Sequence, residues 1–220
     1  MNLFWSYWPL LIQGAQMTLA ILAVSSVISL FLGTVFGILL SNRLRIAGLS
    51  ECIEGIAFIY RAVPFYVQLL IVYFVLPELL GCNLEPFSAS VIALGGCSAG
   101  YVAQAVRSGI NSVPNLQWES AFVLGFNRIQ TVRYIVLPQA LRLILPNLCN
   151  ELDAMLKSTS IASSIGLLEL TRASMNVVSR EMQPLPIYLM TAVFYLLMSL
   201  CINLFIRFLE RRLSCCKPNA

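Results

Sequence analysis

Beyond Arg142 at its edge, an apolar window at 141–165, long enough to cross a bilayer, holds three charged side chains, Glu151, Asp153 and Lys157. Charge at membrane depth is costly, so such residues are functional suspects by default. Asp153 and Lys157 are four positions apart and have a simple structural explanation, a pair on one helix face. Glu151 stands apart from them. On a helix, Asn147, Glu151 and Ser158 fall on one face at i, i+4 and i+11, a polar stripe in an oily element. A carboxylate there has the chemistry to hold an ammonium or other cationic group.

Most other chemistry is excluded by residue type. The sequence has no histidine, and its seven cysteines form no CxxC pair, which argues against a zinc site or a redox pair. The bland reading of the cysteines is apolar packing plus a tail thiol pair, Cys215 and Cys216. No Ser/Cys–base arrangement suggests an enzyme. No metal or cofactor is implied. The run Lys157-Ser158-Thr159 lacks the glycines of a phosphate-binding loop. Nor is any basic patch interleaved with aromatics in the way nucleic-acid binding requires.

The elements that position these residues follow from composition. Hydrophobic residues make up 59% and charged residues 11%, with a mean hydropathy of +0.82, where a soluble domain carries about 25% charge. A chain this small cannot hide so much apolar surface from water. The expected fold is therefore all-α and polytopic, with five membrane spans of about 20 residues each. They are placed at about 15–40, 55–76, 87–106, 141–165 and 187–206. Trp5, Tyr7 and Trp8 suit an interfacial belt before the first span. Between and after the spans, eleven basic residues fall on one side and two, Arg172 and Arg180, on the other. The positive-inside rule then places the N-terminus outside and the C-terminus in the cytoplasm.

That orientation makes 107–138 a cytoplasmic segment, long for a helix-to-helix connection. Pro114 and Asn115 mark a turn after which a helix can start, and Gly125 suggests a bend or a close backbone approach. Ile129, Val132, Ile135 and Val136 recur with helical spacing. Two readings remain open on periodicity alone: an amphipathic helix on the lipid surface, or a short helix docked in a partner's groove.

The segment Glu119-Ser120-Ala121, three residues, Gly125, nine residues, Ile135-Val136-Leu137-Pro138 resembles the EAA loop of ABC importer permeases. Further likeness on both sides points to the polar amino-acid subfamily, of the histidine, glutamine, arginine and opine type. It includes Arg61, Pro64 and Gln68, the run from Tyr101 to Gln117, and Gln139-Ala140 through Thr159-Ser160. Gln104 and Leu116 depart from it, standing where the family commonly has glutamate and glycine. The resemblance implies a single permease domain that forms a dimer of identical or different chains. It also implies ATP-binding subunits coupled through Glu119, Ser120, Ala121, Gly125, Ile135, Leu137 and Pro138, with Ala121 and Gly125 allowing close approach. An extracytoplasmic binding protein would deliver an amino acid to a pathway bordered by Glu151, with Ser158 and Asn147. Arg61 is expected to snorkel to headgroups, and Gln68 to bond across helices. A stand-alone secondary carrier is the competing expectation, but it predicts internal repeats, and no second copy of the span pattern is present.

Overall fold

The computed structural model describes residues 2–214, with side chains from Ser6 to Phe208. Cys215, Cys216 and Lys217, and the side chains of Trp5, Arg211 and Arg212, lie outside the described residues. All regular structure among the described residues is helical.

Helix α1 (Asn2–Leu40) carries no charge and runs about 58 Å at the ideal rise. Helix α4 (Pro86–Asn111) lies along it and forms the bundle's axis, with 72% of its apolar window buried. Glycines set how closely the two approach. A Cβ on Gly33 would stand 2.5 Å from Val102, and one on Gly37 2.5 Å from Val106 and 2.7 Å from the Ala103 carbonyl. Ser29 donates to Ser98 across the same seam at 2.9 Å. Helix α9 (Pro184–Ser214) is the opposite case: only 11% of its apolar window is buried, so most of its surface is left for lipid or another chain.

The expected span at 55–76 is not one helix. Helix α2 (Leu49–Ala62) and helix α3 (Phe65–Leu80) meet at a bend of 104°. Pro64 is the cause: its ring excludes Val63 from the helical region, and Val63 sits at ψ 130°. The break frees main-chain carbonyls, and Gln68 takes them, its Nε2 donating to Tyr60 O and Val63 O at 2.7 Å each. The bond expected of Gln68 therefore spans the break.

After α4 the chain forms α5 (Asn115–Val123), a short α6 (Arg128–Thr131), a π turn (Val132–Val136) and α7 (Leu137–Ser158). The window expected to be the span at 141–165 leaves α-geometry at Thr159 and continues as a 3₁₀ turn to Ile165. Hydroxyls cause the tightening: Thr159 donates to Leu156 O, Ser160 to Lys157 O and Ser164 to Ile161 O, all three residues back. In the loop expected at 166–186 lies α8 (Leu170–Glu181), capped by buried Glu169, whose carboxylate accepts from Thr171 N and Arg172 N at 2.8 Å. By length and apolarity, α1, α4 and α9 can each cross a membrane, and α2 with α3 makes a fourth if the bent pair counts as one.

Because the α1–α4 seat has no spare room, Gly37→Ala should destabilise the protein by about 1–3 kcal/mol. Gly55→Ala, where a Cβ meets nothing within 4 Å, should be neutral or slightly stabilising. Melting curves of the purified protein in detergent distinguish the pair. Equal melting temperatures would show that the helices have slack.

Candidate functional site

Helix α5 presents two unlike faces. Trp118 and Ala121 are buried at i and i+3, whereas Leu116, Val123 and Leu124 are 69%, 87% and 73% exposed. The inward face joins a hydrophobic cluster with Val113, Val136, Ala140 and Ile144, so α5 is seated on the C-terminal end of α4 and the N-terminal part of α7. The outward face is an apolar patch beside exposed Glu119 and Ser120. Ala121 differs from expectation here: it is fully buried, and its small side chain lets α5 approach its own scaffold.

Gly125 ends α5. Its φ of +82° is left-handed, Phe126 N donates to Ala121 O and Gly125 N to Phe122 O, both at 3.0 Å: a Schellman cap. A Cβ on Gly125 would meet nothing within 4 Å, so the backbone angle, and no neighbour in this chain, requires glycine. Asn127 then starts the next helix with a capping box, its side chain accepting from Gln130 N while Gln130 accepts from Asn127 N. Asn127-x-x-Gln130 is a signal the sequence reading passed over. Half-buried Ile135 and exposed Leu137 and Pro138 complete the segment. Pro138 cannot donate to the preceding turn, and the π turn before it widens the helix at that point. Gln139 donates to Ile135 O at 2.9 Å.

Basic residues fasten this segment to the loop between α1 and α2. Arg43 donates to Asn115 at 2.8 Å and lies over the Trp118 ring, 5.4 Å from its centroid. Arg128 in turn donates to the Arg43 carbonyl. Glu54 of α2 pairs with Arg107 of α4 at 2.7 Å and with Arg45 of the loop at 3.4 Å.

The polar stripe of α7 faces two adjoining cavities. One, of about 510 Å³, is lined by Arg61, Pro64, Ser98, Tyr101, Glu151 and Ser158, with apolar neighbours. The other, of about 300 Å³, is lined by Tyr101, Gln104, Ser108, Asn147 and Glu151. Glu151 belongs to both and is hydrogen-bonded by Ser98, which is itself held by Ser29. Ser158 spends its proton on Ala154 O at 2.9 Å. Asp153 and Lys157 pair with each other at 2.6 Å, and Ser199 of α9 also donates to Asp153.

Arg61 does not snorkel away. It lines the larger cavity, donating from Nε to Ala57 O at 3.1 Å and from Nη1 to the Gln104 amide oxygen at 2.7 Å. The break at Pro64 turns the end of α2 inward and brings it there. Gln104 is a neutral acceptor, and Arg61 shares the lining of the larger cavity with Glu151. Ser98 and Tyr101 join the cavity only through the packing of α4 against α7, which no local spacing reveals.

The chain matches the model for the family described as binding-protein-dependent transport system inner membrane component over residues 33–214. It is 36% identical over 213 residues to the glutamine transport system permease protein GlnP of Escherichia coli (strain K12), covering 96% of this chain and 95% of that protein. With the arginine transport system permease protein ArtQ of Bacillus subtilis (strain 168), identity is 32% over 206 residues, covering 94% and 93%. Among solved structures, the crystal structure of an amino acid ABC transporter with histidines superposes with a TM-score of 0.85 at 33% identity, covering 94% of this chain and 95% of that one. The MetNI methionine ABC transporter, in an inward-facing conformation, shares the fold at a TM-score of 0.79 and 20% identity, covering 93% and 96%. The chain belongs to the family of binding-protein-dependent transport system inner membrane components.

Proposed function

We propose that this chain is the permease subunit of an ATP-driven, binding-protein-dependent amino-acid importer of the inner membrane. It forms the pathway as one of two permease subunits and takes its energy from separate ATP-binding subunits. The observation that carries the reading is a carboxylate and a guanidinium, Glu151 and Arg61, lining one cavity. Together they match the ammonium and carboxylate of a free amino acid. The names of the 30–36% identical relatives, glutamine, arginine and cystine permeases, support the same class.

In this reading the chain has five spans, the second bent at Pro64 and the fourth carrying Asn147, Glu151 and Ser158. The N-terminus is outside and the C-terminus cytoplasmic. ATP-binding subunits meet the exposed face of α5, where Leu116, Val123 and Leu124 need a partner to leave water. The binding protein meets the opposite side.

Two experiments test the proposal in proteoliposomes holding the complete transporter and its binding protein. Glu151→Gln removes a charge-assisted hydrogen bond and should weaken apparent substrate affinity about ten- to a hundredfold, with ATPase activity in the absence of substrate unchanged. Unaltered uptake kinetics at equal protein level would overturn the assignment. Val123→Glu places a charge at the centre of the exposed patch and should abolish binding-protein-stimulated ATP hydrolysis while the permease inserts and melts normally. Full stimulation in this variant would move the coupling surface elsewhere.

A further inference from the structure

A second surface lies beside the coupling helix and differs from it in chemistry. Leu44, Ile129, Val132 and Leu137 line a trough of about 320 Å³, and Arg128 and Arg133 stand at its rim. Leu44 follows the end of apolar α1 by four residues, and Leu137 is the first residue of α7. The trough thus lies between the end of α1 and the start of α7, which in the five-span reading is where two spans leave the hydrocarbon.

The two guanidiniums have no acidic partner among the described residues. Arg128 donates to the Arg43 main chain, and Arg133 lies 5.7 Å from the Tyr134 ring centroid. The ion pairs nearby are those of Glu54, made with Arg45 and Arg107. Arg43, held on Trp118, adds a third cation next to Arg128. Cations gathered at an interface without a counter-charge, above an apolar floor, need a ligand that is anionic at one end and oily at the other.

We propose that this trough binds an anionic phospholipid of the cytoplasmic leaflet. Its phosphate accepts from Arg128 and Arg133, and an acyl chain covers Leu44, Ile129, Val132 and Leu137. This rests on the reading that the α5 side is cytoplasmic. A lipid fits better than a protein segment because of depth: the trough opens at the feet of α1 and α7, whereas the patch that projects from the bundle is on α5. A lipid held there touches the turn that follows the coupling helix and the loop that clamps its start.

Native mass spectrometry of the complete transporter, released from micelles holding equal phosphatidylglycerol and phosphatidylcholine, tests the proposal. Wild type should retain phosphatidylglycerol preferentially. The double variant Arg128→Gln/Arg133→Gln should lose about tenfold of that retention, and the charge-preserving Arg128→Lys/Arg133→Lys should keep most of it. Undiminished retention in the glutamine variant overturns the site. So does loss of the ATP-binding subunits from that variant in phosphatidylcholine alone, which would make the trough a protein interface. A wild-type chain that recruits no ATP-binding subunit would instead overturn the functional reading, while lipid retention can still be measured on the permease alone.

Discussion

A main-chain polar group left without a partner in hydrocarbon costs several kcal/mol, and the architecture depends on how each departure from the α-helix meets that cost. At Pro64 the helix stops, and Gln68 fills the place of the missing main-chain donors. Before Pro138 the helix widens by one residue instead, and the Gln139 side chain adds a bond back to Ile135 O. At 159–165 serine and threonine hydroxyls bond backward and tighten the turn. Two of these adjoin features of the site: Pro64 stands in the wall of the larger cavity, and the turn at 159–165 follows Ser158 at the end of the polar stripe. A further π turn, Ile71–Val75 within α3, lines neither of the two cavities.

Charge is placed by a similar economy of partners. Asp153 and Lys157 cancel one another, and Glu54 joins α2 to the end of α4 and to the loop after α1. Glu151 is different, because its neighbours are hydroxyls and an open cavity. The nearest cation lining that cavity, Arg61, is turned to a neutral amide. Glu151 and Arg61 thus line one cavity with no ion pair between them among the described residues.

Much of this could be read from the sequence, for identifiable reasons. The pairing of Asp153 with Lys157 and the common face of Asn147, Glu151 and Ser158 follow from helical spacing, which α7 preserves across all five positions. Gly125 was legible as a bend because a left-handed φ restricts the choice of residue. Arg61 was not: its direction is set by a 104° bend beyond it, and snorkelling is the default only for a straight helix. Ala121 was misplaced because the inward face of α5 is fixed by where Trp118 lands, a tertiary fact. The Glu169 cap escaped notice since glutamate is not among the residues preferred at a helix start.

The glycine seat between α1 and α4 has a mechanical consequence. Where side chains separate two helices, rotamer changes can absorb a sliding motion; where backbone rests against valine, as at Gly33 and Gly37, they cannot. The α1–α4 pair is therefore a closely fitted unit in which a slide meets backbone at once. Glycines of α4 seat its other neighbours too: a Cβ on Gly109 would stand 2.3 Å from Ile144 of α7, and one on Gly100 3.3 Å from the Ala57 carbonyl of α2, so a single helix sets the close approach of three others.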